Sequence, residues 1–244
     1  MSPKTLQNVK AVIFDYGGTL DTKARPWASV QWEAYRHANF PIDEDTFQKA
    51  CTFAENALIK APIVKPTDDF YHLMLKKIEQ QIAYLEFKHI LHISALQQQA
   101  LLYDIAGYCN SLALKNMETT REVLATLRQK YPLVLVSNFF GNIHAVLSTF
   151  GLDGVFTHIV ESSVVGVRKP DPAIYRLGVE ATGFKPEEVV VVANSYKKDM
   201  EPASSLGCRT IWFKGEGQET PTDYDPAKVC AIITDLRQVL DYLA

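Results

Sequence analysis

Cysteine, excess charge and long apolar runs are all scarce in this sequence of 244 residues. Its four cysteines are scattered without metal-ligand spacing, which excludes a disulfide scaffold and favours a reducing compartment. A formal net charge of -3 argues against a dedicated nucleic-acid binder, because such proteins carry a basic stripe. No apolar run is long enough to cross a bilayer, and the first residues lack the apolar stretch of a secretion signal. We therefore expect a cytoplasmic protein with neither membrane nor nucleic acid as a partner.

Short β-branched runs alternate with longer helical patterns along most of the chain. This alternation predicts a doubly wound α/β fold, in which crossover helices cover a mostly parallel sheet. Several of the runs are apolar throughout, as is typical of strands buried on both faces. The predicted strands are Ala11–Phe14, Leu133–Val136, His158–Glu161, Val189–Ala193, Thr210–Phe213 and a run near Ile232–Thr234. The helices predicted between them are Thr119–Lys130, Ile143–Phe150, Pro172–Thr182 and Met200–Leu206.

The segment from residue 22 to residue 117 has almost no strand-like runs. Asp43 is a candidate N-cap for one helix, and either Thr67 or Asp68 for the next, because short polar side chains accept hydrogen bonds from free backbone amides. Apolar residues at helical spacing follow both positions. We predict a helical domain at 22–117 that is inserted into an α/β core made of residues 1–21 and 118–244.

Polar residues follow the predicted strands, where an open α/β sheet places its chemistry. Asp15 comes directly after the first strand and could be a nucleophile, although a carboxylate that only caps a turn fits the pattern equally well. Ser137 could hydrogen-bond a transferring phosphoryl oxygen, or simply form a turn with Asn138. Both functional interpretations need support from elsewhere in the chain.

Two later segments supply that support. Lys169 lies beside Pro170, which stiffens the backbone, so the lysine could pair with Asp15 and with an anionic substrate. An ordinary surface lysine is the alternative. Asn194 and Asp199 lie on the loop after a buried strand, where acidic side chains are natural ligands for Mg²⁺. A polar loop with a helix-capping residue is the alternative there.

Together, these four segments resemble the motifs of the haloacid dehalogenase-like hydrolase superfamily. The first is the Phe14–Leu20 run, and the most specific is the Arg168–Pro172 run. The resemblance covers essentially the whole chain outside the insertion, which lies where that family has its helical cap. It implies a phosphatase that acts on a small phosphorylated metabolite through an aspartyl-phosphate, as a monomer or homodimer.

The resemblance also implies a role for each matched residue. Asp15 is the expected nucleophile, and Lys169 is expected to stabilise charge. The residues expected to bind the transferred group are Thr19, Ser137 and Asn138. The expected Mg²⁺ ligands are Asp15, the Gly17 carbonyl, Asn194 and Asp199.

Two positions depart from the family pattern. Gly17 replaces an Asp that serves as general acid and base, a loss that costs about 10²–10⁴-fold in rate. Asn194 replaces an acidic ligand, which should weaken Mg²⁺ binding. Three interpretations remain open. The first is a phosphatase that needs a good leaving group or borrows an acid from the cap, where the candidates are His37, His72, Arg25, Lys60 and Lys65. The others are a metal-independent 2-haloacid dehalogenase and a binding or regulatory protein with a vestigial site.

Overall fold

The computed structural model describes residues 5–215 and 218–243, and the chain divides into two compact units. The sheet unit comprises Met1–Arg25, Asn116–Phe139 and Gly151–Ala244. The helical unit comprises Pro26–Lys115 and Phe140–Phe150. The predicted division into core and inserted domain, with its boundaries after residues 21 and 117, stays a prediction.

The sheet unit contains six parallel strands in the order β3-β2-β1-β4-β5-β6. The strands are β1 (Ala11–Phe14), β2 (Leu133–Ser137), β3 (His158–Glu161), β4 (Val189–Ala193), β5 (Arg209–Phe213) and β6 (Ala231–Ile233). Because the strands are parallel, their carboxyl ends meet at one edge of the sheet. The predicted α/β fold with a parallel sheet is confirmed.

Nine α-helices accompany these strands in the described residues. Those of the sheet unit are α6 (Ser162–Val165), α7 (Ala173–Thr182), α8 (Glu201–Ser205) and α9 (Val239–Leu243). Those of the helical unit are α1 (Trp27–His37), α2 (Glu44–Lys60), α3 (Phe70–Phe87) and α5 (Ile143–Thr149). Helix α4 (Ala95–Leu127) contributes residues to both units.

The core of the sheet unit is built on β1 and β4, whose side chains are all buried. Helix α7 packs closely on this core at Gly178, where an added Cβ would lie 2.6 Å from Val136 Cγ2. A larger residue at that position would push the helix off the sheet. Close packing therefore fixes α7, and with it the segment that precedes α7, against the central strands.

The helical unit confirms one predicted cap and corrects another. The Asp43 carboxylate accepts a hydrogen bond from Thr46 N at 2.8 Å, as predicted for the start of α2. Helix α3 is capped by Asp69, whose Oδ1 accepts from His72 N at 2.8 Å, so Thr67 and Asp68 were the wrong choices. The Asp68 carboxylate instead accepts a bond from Lys65 N, within the turn before the helix.

Helix α4 is the largest departure from the predicted elements. The sequence predicts a separate helix at Thr119–Lys130. In the structure this segment is the last part of a helix of 33 residues, which ends at Leu127. No proline or glycine interrupts the stretch around Asn116, so nothing there ends the helix. Among the described helices, none combines the length and apolar character needed to span a bilayer. All four cysteines are free thiols, and the cytoplasmic location inferred from them stays a prediction.

Candidate active site

Three predicted site residues lie where neighbouring parallel strands end. Asp15 directly follows β1, Ser137 is the last residue of β2, and Asn194 directly follows β4. Strands β2 and β4 flank β1, and Phe14 pairs in register with Leu135 and Val192. The sheet therefore brings polar groups from three distant parts of the sequence to one edge.

Asp15 is held at this edge by two side chains. Its Oδ1 accepts a hydrogen bond from Lys169 Nζ at 2.6 Å, and its Oδ2 accepts one from Thr19 Oγ1 at 3.0 Å. The Asp15 amide donates to Val192 O at 3.1 Å, which fixes the backbone on β4. Asp15 is only 6% exposed. The carboxylate therefore has a fixed orientation, as a nucleophile requires.

Lys169 joins Asp15 to Asp199. Its ammonium lies 2.6 Å from Asp15 Oδ1 and 2.7 Å from Asp199 Oδ1. Both amide atoms of Asn138 hold the lysine's backbone: Lys169 N donates to Asn138 Oδ1 at 2.9 Å, and Asn138 Nδ2 donates to Lys169 O at 3.1 Å. Asn138 therefore positions Lys169, a contact that its predicted role in substrate binding did not include.

Asp199 is fixed by a residue that the sequence analysis missed. The Tyr175 hydroxyl donates to Asp199 Oδ1 at 2.6 Å, and the Lys169 ammonium lies 5.2 Å from the centroid of the Tyr175 ring. Asp199 Oδ2 accepts from Ser195 N at 3.2 Å, within a π-helical turn over Tyr196–Met200. Tyr175 lies six residues after Lys169 on the buried face of α7, where an aromatic residue is expected to be ordinary core.

Both backbone polar groups of Asn194 are hydrogen-bonded to side chains. Its amide donates to Thr19 Oγ1 at 3.1 Å, and its carbonyl accepts from Trp212 Nε1 at 3.0 Å and from Gln218 Nε2 at 2.9 Å. The side-chain oxygen lies 3.4 Å from Thr19 Oγ1, while Nδ2 donates to Ala24 O at 3.4 Å. The side-chain oxygens of Asn194 and Asp15 thus both lie within hydrogen-bond distance of one hydroxyl.

The charges in this cluster do not balance. Burial raises the pKa of the Asp15 carboxyl, against the lowering effect of Lys169 and together with the Asp199 carboxylate. Burial alone would lower the pKa of Lys169, but Asp15 and Asp199 outweigh it and raise that pKa above its usual value. Lys169 therefore stays an ammonium shared by two carboxylates. The cluster thus sets one cation against two carboxyl groups, one of which belongs to the candidate nucleophile itself.

The predicted Mg²⁺ ligands were tested by the chemistry of their donors. Within the described residues, no cluster of three or more His, Cys, Asp or Glu side chains is arranged to bind a metal. The Asp15 carboxylate, the Asn194 amide oxygen and the Gly17 carbonyl are the hard oxygen donors that Mg²⁺ prefers. Both Asp199 oxygens already accept protein hydrogen bonds. The donor atoms therefore suit Mg²⁺ chemically. Asp15 supplies a carboxylate, while protein donors already engage both oxygens of Asp199.

Gly18 controls how closely the loop after β1 approaches Asn194. Its φ of +92 lies in the region that favours glycine, and an added Cβ would lie 2.4 Å from Asn194 Nδ2. We expect Gly18→Ala to lower the free energy of unfolding by about 1–3 kcal/mol through backbone strain, with a further loss from displacing Asn194. Urea unfolding measures the change.

Gly154→Ala is the matched control for that variant. Gly154 also has a positive φ, +63, but no atom lies within 4 Å of the position of its Cβ. Its substitution should cost about 1–2 kcal/mol, which is the backbone strain alone. Equal losses in the two variants would contradict the contact between Gly18 and Asn194.

The comparisons with known proteins agree with this geometry. The family model for haloacid dehalogenase-like hydrolases matches residues 9–207. The chain belongs to this family. A member of the family is expected to carry its catalytic groups at the carboxyl edge of a parallel sheet, which is where Asp15, Lys169 and Asn194 meet in this chain.

The relatives and solved structures that this chain resembles are named for more than one activity. The chain is 36% identical over 93 residues to a glyceraldehyde 3-phosphate phosphatase of Pyrococcus furiosus, covering 38% of each chain. It is 33% identical over 144 residues to haloacid dehalogenase-like hydrolase domain-containing protein 3 of Danio rerio, covering 56% of this chain and 60% of the relative. The matched parts thus span between about two fifths and three fifths of these relatives. A solved dehalogenase with an intermediate complex shares the fold, with a TM-score of 0.65 and 20% identity over 98% of this chain and 99% of the other.

Proposed function

We propose that this hydrolase is a phosphatase that cleaves a small phosphorylated metabolite through a covalent aspartyl-phosphate on Asp15. The observation that carries the proposal is the Asp15–Lys169–Asp199 cluster: a buried, oriented carboxylate with a fixed ammonium at 2.6 Å. The ammonium can stabilise the negative charge of a phosphoryl group as it approaches. The phosphatase from Pyrococcus furiosus among the relatives supports the same reaction class.

In the first step, the Asp15 carboxylate attacks phosphorus while the bond from phosphorus to the leaving group breaks. Lys169 keeps the carboxylate aimed and offsets the charge that builds on the phosphoryl oxygens. Ser137, at the end of β2, would donate its hydroxyl to one of those oxygens, and Thr19 and Asn138 would complete the binding of the group. In the second step, water attacks phosphorus and releases Asp15 as a carboxylate.

Asp15, the Gly17 carbonyl and Asn194 would hold Mg²⁺ at this site, with Asp199 behind them. When bound, the ion supplies positive charge that draws the phosphate to Asp15 and stabilises its oxygens during transfer. We propose that the helical unit is the cap that selects the substrate. The identity of the substrate therefore depends on residues other than those that perform the chemistry.

We expect phosphate release from an aryl phosphate to depend on Mg²⁺ with weak affinity, because Asn194 contributes no charge. The Asn194→Asp variant should lower the Mg²⁺ concentration for half-maximal activity by about 10-fold or more, since it adds a charge at ligand distance. Titration of activity with Mg²⁺ after treatment with a chelator measures both proteins. The Asp variant forgoes the hydrogen bond from Asn194 Nδ2 to Ala24 O, so its folding should be checked in parallel. Equal Mg²⁺ dependence in both would contradict a role for residue 194 in metal binding.

A second candidate function is hydrolysis of a 2-haloacid without metal. The observation in its favour is that Gly17 gives no side-chain acid beside Asp15, and a halide leaves as a stable anion that needs no proton. Chloride release from a 2-chloroacid with the chelator present, without phosphate release from any aryl phosphate, would favour this reaction. Phosphate release that requires Mg²⁺ would exclude it as the main activity. If a folded protein catalyses neither reaction, the interpretation as a binding or regulatory protein with a vestigial site is favoured.

A further inference from the structure

Two side chains that could supply a proton contact the Asp15 carboxylate directly. The Thr19 hydroxyl donates its hydrogen to Asp15 Oδ2, and the Lys169 ammonium is held between Asp15 and Asp199 at 2.6 and 2.7 Å. These are the described side chains within hydrogen-bond distance of the Asp15 carboxylate. Both are already committed to carboxylates, so neither is placed to protonate a leaving group.

The next layer of side chains is equally committed. The Tyr175 hydroxyl points at Asp199 Oδ1, and the second Asp199 oxygen accepts from Ser195 N. Protein donors therefore engage both oxygens of Asp199, and these contacts hold the carboxylate on Lys169 and Tyr175. A general base must reach the water that it activates, and geometry is the first requirement.

The loop after Asp15 does not replace these groups. Gly17 has no side chain. Tyr16 is fully buried, its ring edge packs on Phe139, and its hydroxyl has no hydrogen-bond partner among the described residues. Among the described residues, no hydrogen bond links this phenol to the Asp15 carboxylate. Among the described residues of the sheet unit, none is therefore placed to give a proton to a leaving group at Asp15.

We propose that the substrates are phosphate compounds whose leaving group departs as a stable anion, acyl phosphates above all, and that phosphorylated Asp15 accumulates during turnover. This deepens the proposed function and rests on it. In the first step, a bond forms between Asp15 and phosphorus, and the carboxylate of the acyl group leaves with the electron pair of the broken P–O bond. In the second step, water adds to phosphorus, the bond to Asp15 breaks with its electrons on Asp15, and both protons of the water stay on the released dihydrogen phosphate.

The two halves of the proposal share one cause. A leaving alkoxide needs a proton, so ordinary phosphate esters of alcohols react slowly in the first step. Attack by water needs a base whatever the leaving group was, so the second step is slow for every substrate. With a good leaving group, the first step outruns the second and the phosphoenzyme builds up.

The test is a series of aryl phosphates whose leaving groups range from dinitrophenol, the strongest acid, to phenol, the weakest. The pKa of phenol is near that of the tyrosine side chain, about 10. We expect kcat/KM to fall by roughly 10²–10⁴-fold across the series, the factor that a general acid would otherwise supply. Stopped-flow measurement with the dinitrophenyl ester should show a burst that approaches one dinitrophenolate per chain. Acetyl phosphate should be hydrolysed at the same steady-state rate as that ester, because both form the same phosphoenzyme.

Gly17→Asp and Gly17→Asn form a matched pair for this test. Gly17 does not have a positive φ, so its backbone is outside the region that favours glycine. The Asp variant should raise turnover of phenyl phosphate by about 10²-fold or more and remove the burst, while Asn, of equal size but without an acid, should do neither.

A level series without a burst in the wild type would overturn the proposal, since it would require an acid, for instance one from the helical unit, and would leave the proposed phosphatase intact. Absence of phosphate release from every member and from acetyl phosphate would overturn the proposed function itself. If both variants fail to fold, the wild-type series still decides the question.

Discussion

Replacement of Asp15 by Asn is expected to reduce phosphate release from a dinitrophenyl ester by at least about 10⁴-fold, as the loss of a nucleophile does in other covalent catalysts. The amide has the same shape as the carboxylate but cannot form a stable acyl phosphate. The burst should vanish together with the steady state. Stopped-flow absorbance at one ester concentration measures both.

The control for Asp15→Asn is an acid in the same unit that lies away from the sheet edge. Asp153 is exposed, in the turn after α5, so Asp153→Asn should leave both kinetic phases at their wild-type values. A burst that persists in Asp15→Asn would mean that another group receives the phosphoryl group. The aspartyl mechanism would then be wrong.

Replacement of Lys169 by Met is expected to lower the free energy of unfolding by about 3–5 kcal/mol, because it leaves two buried carboxylates without their shared cation. The Lys169 side chain is 3% exposed, and those of Asp15 and Asp199 are 9% and 2% exposed. Neither carboxylate can turn toward water to recover hydration. Urea unfolding of the whole chain, followed by far-UV circular dichroism, measures the loss.

Lys10→Met provides a matched control in the same unit. Lys10 Nζ lies 2.7 Å from Glu188 Oε1, a distance close to those at Lys169, but the lysine side chain is 51% exposed. Exposed pairs contribute about 0–1 kcal/mol, so this variant should unfold almost like the wild type. Similar losses in both variants would contradict the view that burial makes the Lys169 pairs decisive.

The arrangement of the candidate site was largely predictable from the sequence because it depends on strand ends. The apolar run before Asp15 and the one before Asn194 are strands with the predicted bounds, and both are parallel and adjacent. Once the strands are parallel, a polar residue that ends one of them must lie at the shared edge. Local pattern and global fold agree at these positions.

Contacts between distant loops were beyond the reach of the sequence. Nothing in the local pattern shows that Asn138 would bind the backbone of Lys169, 31 residues later. Tyr175 presents the same difficulty, because the periodicity of α7 places it in the core and says nothing about the partner of its hydroxyl. Such pairings depend on how the loops fold back on one another rather than on residue spacing.

Helix limits were the other weak point, for a different reason. Thr67, Asp68 and Asp69 are adjacent residues that can all cap a helix, and the sequence does not rank them. The sequence predicts a separate helix from Thr119, although no residue near Asn116 breaks α4. The choice in both cases depends on tertiary packing.

The central claim, that Asp15 becomes covalently phosphorylated, is tested most directly by trapping the intermediate. The protein is mixed with dinitrophenyl phosphate, quenched within the burst and treated with borohydride, which reduces an acyl phosphate of aspartate to homoserine. Peptide mass spectrometry should then find homoserine at position 15, and Asp15→Asn treated in the same way should show none. An unmodified Asp15 at every quench time, in a protein that releases phosphate, would contradict the account.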